Sequence, residues 1–420
     1  MKKTFVAIIT VALVLLVASN SIQSQPSFEE WAKADMQAFD EFIIADEAAH
    51  KAYKAEVEEK WVEFQESSKE EWVTYGSGKD TKAKVNFEKG FIEIEAIVEA
   101  SDPNPIQKAQ EKLALHIEEL VEVGDESEEK TASGVRELAE KKLVELKKMM
   151  PGTPDAKQRT DQKIIEAEEI ISTVSSKISA GFSVLGNLLK TGAGHVVNTI
   201  NVKGFSKTKA AEANVTEKSF TGKDGVERLK ISVKIPMVPD HLRVRAERFL
   251  PAVREFCEKY ELDVAMVMAL MHTESYFNPK AKSHAPAYGL MQLVPRSGGL
   301  DANRFVHNKN VKPSPRFLYK PRNNIELGTG YLCKMRTNEF KKVTDSQNAL
   351  YCIICAYNTG PGNVSRAITG KTKLRNAIPE INSMTPEELY AKLVKDLPYE
   401  ETRSYIKKVT ERTANYVEWR

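Results

Sequence analysis

The segment Val264-Ala265-Met266-Val267-Met268-Ala269-Leu270-Met271, running on through His272 and Thr273 to Glu274, constrains the fold of this chain most strongly. Asp263 is a good helix N-cap directly before it, and Pro279 prevents extension far beyond Glu274. A helix that is apolar all round is buried all round, so it needs a shell of other helices. The residues after Asp240 supply one. Phe249, Val253, Phe256 and Tyr260 recur at helical steps, with Pro251 kinking that helix or sitting in its first turn. Further helices are predicted at 324–340, 345–357, 386–396 and 401–417.

The chain before Pro236 has a different period. Val85 and Phe87 lead into Glu88-Lys89-Gly90, after which Ile92, Ile94, Ala96 and Val98 alternate with Glu93, Glu95 and Ile97. That pattern predicts a β-hairpin with a glycine-containing turn. Leu229, Ile231, Val233 and Ile235 make a second alternating strand, ended by Pro236. From Phe28 to about Glu71 the sequence is acidic and free of Gly and Pro, which predicts a helix with Trp31, Phe39, Phe42 and Ile43 as its apolar stripe. By default this is a solvated arm. Helices are also predicted near 105–123, 133–150 and 156–190, the middle one stopped by Pro151-Gly152, while 191–225 reads as loop. The fold class is therefore α+β: a mixed amino-terminal domain over 25–236 and a mainly helical domain over 237–420.

A chain of 420 residues is too long for one ordinary domain, in keeping with that division. With 61 basic and 59 acidic side chains the net charge is +2, so no global field marks a nucleic-acid binder. Residues 241–420 nevertheless carry +11 and residues 1–240 carry −9, so an acidic-polymer partner belongs to the second region. Four cysteines exclude a disulfide scaffold. At the start, Lys2 and Lys3 precede an apolar run from Phe5 to Ala18 and a small polar stretch from Ser19 to Ser24. The run is shorter than the ~20 residues that span a bilayer, so residues 1–24 are expected to be a removed export signal. No cysteine precedes Cys257, which leaves no thiol for amino-terminal lipidation.

Glu274 is the first candidate for chemistry. A carboxylate ending a buried helix meets desolvation and the negative end of the helix dipole, and both favour its protonated form. That prepares a general acid to work near neutral pH. The plainer reading is a cap on a surfacing helix end.

The surrounding blocks are more specific. Glu274-Ser275-Tyr276-Phe277-Asn278-Pro279 is followed by Ser283, by Gly289-Leu290-Met291-Gln292, by Ala356-Tyr357-Asn358-Thr359-Gly360-Pro361-Gly362, and by Thr402-Arg403-Ser404-Tyr405. Taken together this order resembles the lytic transglycosylases of bacterial cell-wall turnover, the group with a goose-lysozyme-like catalytic domain. The hairpin Phe87-Glu88-Lys89-Gly90-Phe91 and the strand ending at Pro236 also look like the amino-terminal domain of a membrane-bound branch of that family. That branch usually carries a lipid anchor, and this sequence departs from it there. The resemblance implies that Glu274 is the catalytic acid/base. It also implies that Ser283, Met291, Gln292, Tyr357, Asn358 and Tyr405 form the substrate-binding set. The histidines are scattered without ligand spacing, so no metal is indicated, and no cofactor is expected.

The resemblance further implies a reaction with one carboxyl. Ordinary glycosidases flank the bond with two acids, whereas no acidic residue lies between Glu274 and Asp301. The implied substrate is the peptidoglycan glycan strand and the implied product a 1,6-anhydro sugar. The expected setting is the periplasm, as a monomer, with a cell-wall or outer-membrane protein as a candidate partner of the amino-terminal domain. Two other classes compete: a hydrolytic lysozyme-like glycosidase, and a non-catalytic glycan-binding protein. A zinc deaminase reading of His272-Thr273-Glu274 with Cys352 and Cys355 is poor, because Tyr351 stands where that pattern has proline. Cys352 and Cys355 are expected as buried thiols, with a bridge from Cys333 to one of them left open.

Overall fold

The computed structural model describes residues 48–122, 185, 187–198, 201–283 and 285–420. The predicted signal segment, the helix at 133–150 and most of that at 156–190 lie outside these residues. The fold is α+β, as the two hydrophobic periods predict.

Five antiparallel strands form a sheet in the order β1-β2-β3-β5-β4, from Glu71–Tyr75, Thr81–Asn86, Phe91–Glu99, Asn214–Thr221 and Glu227–Pro236 taken as β1 to β5. The predicted hairpin is β2 and β3, in register Val85↔Ile92 and Ala83↔Ile94. Gly90 turns it with φ +68°, and a Cβ there would lie 2.4 Å from His241 Nε2. One face of the sheet buries Val85, Ile92, Ile94, Ile231 and Val233 under α2, Pro105–Glu122, and α3, Val202–Ala211. Ile97, out of phase with its neighbours, belongs to the opposite face. There it packs with Val57, Trp61 and Tyr75, beside the cross-strand ion pairs Lys84–Glu93 (2.8 Å) and Lys82–Glu95 (2.5 Å).

Three expectations for this region are corrected. The helix predicted to reach Glu71 stops at residue 60 (α1, residues 48–60), and Glu71 instead begins β1. Serine side chains compete for the backbone here: Ser67 Oγ accepts from Val73 N (3.0 Å) and Ser68 Oγ from Glu71 N (3.0 Å). The stretch 191–225, read as loop, contains α3 and β4. Helix α3 buries Val202, Phe205, Ser206 and Ala210, a stripe only half made of large apolar side chains, which sequence hydrophobicity understates. At the end of the helix predicted over 156–190, Lys190 pairs with Val196 as an isolated bridge.

After Pro236 the chain is helical. Helices α4, His241–Tyr260, and α5, Val264–Ser275, come first. Pro251 lies inside α4 and not in its first turn; its position is exposed, where water can satisfy the carbonyl that loses a partner. Asp263 caps α5 as predicted, accepting from Ala265 N at 3.0 Å. Against α5 pack α4 and α13, Glu400–Thr413, and its hydrophobic core is shared with α8, Pro321–Lys334, which continues as a π turn over Met335–Glu339, and with α9, Ser346–Thr359. Between them lie four helices the sequence reading did not separate: α6 (Gly298–His307), α7 (Pro315–Leu318), α10 (Pro361–Thr369) and α11 (Leu374–Asn382). The predicted helix at 386–396 is α12, Pro386–Asp396, and a 3-10 turn over Ala414–Trp419 follows α13. Met266, Val267, Leu270 and Met271 of α5 are at most 2% exposed, as an all-round apolar helix requires. Cys257, Cys333, Cys352 and Cys355 are buried free thiols.

Sheet and helices meet at Arg245. Its Nη2 donates to Phe87 O (2.6 Å) at the hairpin turn, and its Nε to Tyr276 O (3.1 Å) at the end of α5. Tyr276 Oη donates to Glu88 Oε1 at 2.9 Å. The hairpin therefore fixes the end of α5, where Glu274 sits.

Candidate active site

Helix α5 ends because Tyr276 and Phe277 both adopt left-handed backbone, with φ of 50° and 59°. This turns the chain away directly after Glu274 and leaves that side chain at the helix end. It is 4% exposed, the one buried carboxylate among the described residues. Its Oε1 accepts from Tyr405 Oη at 2.7 Å, and its Oε2 lies 3.9 Å from Lys69 Nζ. Burial pushes its pKa up to about 7, against the opposing pull of Lys69 and the Tyr405 hydrogen bond. Burial beside the Glu274 carboxylate also holds the Tyr405 phenol well above the usual tyrosine range, so it stays a donor.

The loop from Ala281 to Leu293 is pinned against α5. Ser275 Oγ donates to Leu290 O at 2.7 Å. Asn324, wholly buried on α8, accepts from Met291 N and donates to Tyr288 O and Leu318 O, each at 2.8 Å. Tyr357, at the end of α9, donates from Oη to Met291 O at 2.7 Å. Gly289 adopts φ +76° and passes so close to α7 that a Cβ would lie 2.4 Å from Leu318 O.

The residues singled out from sequence take up unequal places. Glu274 and Tyr405 meet directly, and Tyr357 feels the charge of Glu274. Asn358 accepts from Thr402 Oγ1 at 2.7 Å, which ties α9 to the start of α13. The Gln292 amide donates to Ala281 O (3.1 Å) and Gly289 O (2.9 Å), while its Oε1 is buried without a partner among the described residues. The Met291 side chain is fully buried and faces Gly328, where a Cβ would lie 2.2 Å from its Sδ. Ser283 Oγ donates to Ala285 O and borders a cavity of about 240 Å³ shared with Tyr53, Phe64 and Tyr75.

Sequence reasoning missed Lys69, Glu401 and Asn324. Lys69 Nζ also lies 3.7 Å from Glu401 Oε1, so one ammonium joins a buried and an exposed carboxylate. Glu401 carried a signal, since it stands four residues before Tyr405 and so on the same face of a helix. Lys69 carried none, because its proximity depends on a segment distant in the chain. His272 beside Glu274 is kept neutral, its pKa pushed down to about 3 by burial and by Arg412. Its Nδ1 lies 2.9 Å from Tyr416 Oη, so it faces away from the carboxyl chemistry and holds the 3-10 turn.

Residues 251–378 match the family described as Transglycosylase SLT domain, a span that holds Glu274, Ser283, Met291, Gln292, Tyr357 and Asn358. The match falls on the region whose motif order carries the resemblance. Among characterised proteins the chain is similar to membrane-bound lytic murein transglycosylase C of Haemophilus influenzae (strain PittEE), 38% identical over 177 residues, or 42% of this chain and 49% of the relative. It is similarly related to the protein of that name in Serratia proteamaculans (strain 568), 38% identical over 185 residues, or 44% and 51% of the two chains. The chain thus spans about half the length of the curated relatives it matches. Among solved structures it is similar to the 70 kDa soluble lytic transglycosylase Slt70 of Escherichia coli, at 27% identity over 43% of this chain and 26% of that one, with a TM-score of 0.31.

Proposed function

We propose that this chain is a peptidoglycan lytic transglycosylase that cleaves the β-1,4 bond between N-acetylmuramic acid and N-acetylglucosamine without water. The product is a 1,6-anhydro-muramyl end, and the role is cell-wall turnover and remodelling. The observation that carries the reading is Glu274: a carboxyl 4% exposed, held up at about 7 by burial, and oriented by Tyr405 at 2.7 Å. Such a group is substantially protonated at neutral pH and can also accept a proton back.

In this mechanism Glu274 gives its proton to the glycosidic oxygen as the bond from C1 to that oxygen breaks. The carbonyl oxygen of the substrate's own acetamido group bonds to C1 and balances the positive charge there. Glu274, now ionised, removes the proton of the muramyl 6-hydroxyl. That oxygen bonds to C1 and the acetamido oxygen leaves. Glu274 ends as it began, and one carboxyl serves both halves. Ser283, Met291, Gln292, Tyr357 and Asn358 are assigned to binding the glycan beside it. Residues 25–236 act as the accessory domain and 237–420 as the catalytic domain. The basic run-in and short apolar stretch of residues 1–24 support export to the periplasm.

A second reading rests on Glu401. This carboxylate reaches Glu274 through Lys69, and paired carboxyls are the equipment of hydrolytic glycosidases. Its side chain is 72% exposed, which favours an ion-pairing role over that of a base. Digestion of purified sacculi followed by mass analysis separates the two, since a hydrolytic product is heavier by one water. Anhydro products are expected, and hydrated reducing ends overturn the proposal.

A further inference from the structure

We propose that Lys69, delivered from the amino-terminal region, is a positioning residue that stabilises the ionised form of Glu274 between the two halves of the reaction. This rests on the reading of Glu274 as the acid/base. The two carboxyl oxygens are not equivalent: Oε1 is occupied by Tyr405 Oη at 2.7 Å, and Oε2 faces Lys69 Nζ at 3.9 Å. That separation is beyond hydrogen-bond range, so Lys69 acts through its field and leaves Oε2 free to exchange a proton with substrate.

The ammonium is held where it is by backbone on both sides. Ser68 N donates to Glu71 O (2.8 Å), and Glu70 O accepts from Phe87 N (2.8 Å). Phe87 is the residue whose carbonyl Arg245 grips at 2.6 Å. A chain of hydrogen bonds thus runs from the end of α5, through Arg245 and the hairpin, to the segment that carries Lys69. The charge is delivered by a part of the molecule separate from the helix that bears the acid.

The other groups around Glu274 are accounted for. From α13 come Tyr405, which donates to it, and Glu401, whose negative charge opposes its ionisation. From α9 comes Tyr357, a phenol held well above its ordinary range. Arg412 of α13 donates to His272 O and Thr273 Oγ1, both at 3.2 Å, and Arg245 of α4 donates to Tyr276 O at 3.1 Å. Both guanidiniums are thus bound to neighbours of Glu274. Among the described residues, Lys69 is the cation paired with the carboxyl itself. Burial drives Glu274 upward and Lys69 is the largest influence in the other direction.

The test is a titration of the Glu274 carboxyl carbon by NMR in the full chain, assigned by difference against Glu274→Gln. Lys69→Met is expected to raise the midpoint by about one pH unit, Lys69→Arg to return it toward wild type, and Glu401→Gln to lower it. Opposite shifts from removing opposite charges are not the signature of general loosening. A midpoint unchanged in Lys69→Met, or a Lys69→Arg variant that behaves like Lys69→Met, overturns the proposal. The readout is protonation and not product, so it is independent of whether Glu274→Gln abolishes activity.

Discussion

At Glu274 burial and two neighbours act on one carboxyl in different directions. Burial raises its pKa, while Lys69 and the Tyr405 phenol lower it, and the outcome is about 7. Because the folded value lies above the ordinary 4.5, the native state binds more protons than the unfolded state between those two pH values. The associated stability is complete at low pH and is lost as pH rises toward 7, on the order of 3 kcal/mol in all. Glu274→Gln, which never ionises, should therefore melt increasingly above wild type as pH moves from 5 to 8; parallel thermal melts at the two pH values check this, and a constant difference contradicts it. Tyr405→Phe removes a hydrogen bond to a charged group, worth about 1.5–3 kcal/mol. Turnover should fall by about 10–100-fold, as steady-state kinetics on sacculi would show. Glu274 was legible in the sequence because its setting is local: an apolar helix that ends in an acid. Lys69 was not, because its approach is set by the tertiary fold.

At the scale of elements, the fixed unit is the turn from Gly289 to Gln292, held by Ser275 from α5, Asn324 from α8 and Tyr357 from α9. Gly328 of α8 faces the Met291 side chain of this unit. An added Cβ would lie 2.2 Å from Met291 Sδ and 2.7 Å from its Cε. Gly328→Ala should cost about 1–3 kcal/mol through overpacking, despite alanine's better helix propensity. Chemical denaturation measures this, and a stabilised variant would contradict the packing described. Helices α4, α5, α8 and α9 were readable because apolar residues recur with helical period over several turns. Strand β1 and helix α3 were not. In β1, most residues are only half-buried, so the strand has no run of apolar residues, and it is introduced by two serine side chains bonded to its backbone rather than by Gly or Pro. In α3, burial of Ser206 and Ala210 gives a face that hydrophobicity does not mark. Asn324 was likewise invisible, since an asparagine with three backbone partners looks in sequence like any other polar residue on a helix.

Across the whole molecule, charge and connectivity point to a division of labour. Residues 241–420 carry +11 and residues 1–240 carry −9, and the glycan polymer of the proposed function has stem peptides that carry carboxylates. Binding to purified sacculi should therefore weaken as salt rises; a pull-down curve that is flat between low and high ionic strength would leave hydrogen bonding and stacking as the whole attraction. The two regions are joined by Arg245, whose guanidinium is buried and donates to backbone carbonyls on both sides. The period change at Pro236 marks where strands give way to helices, but it gives no sign of this bond, because Arg245 sits on a helix where arginine is ordinarily a surface residue. The central claim is that a single carboxyl performs both proton transfers, and the most direct measurement is the release of anhydromuropeptides from sacculi by wild type and Glu274→Gln, quantified by mass spectrometry. The substitution keeps the size and the hydrogen-bonding position beside Tyr405 while removing the transferable proton. General acid–base help is worth ~10²–10⁴-fold, and one group here acts in both steps, so release should fall to the upper end of that range or beyond with glycan binding retained. Retention of more than about a tenth of wild-type release, set against the same range, would contradict the account.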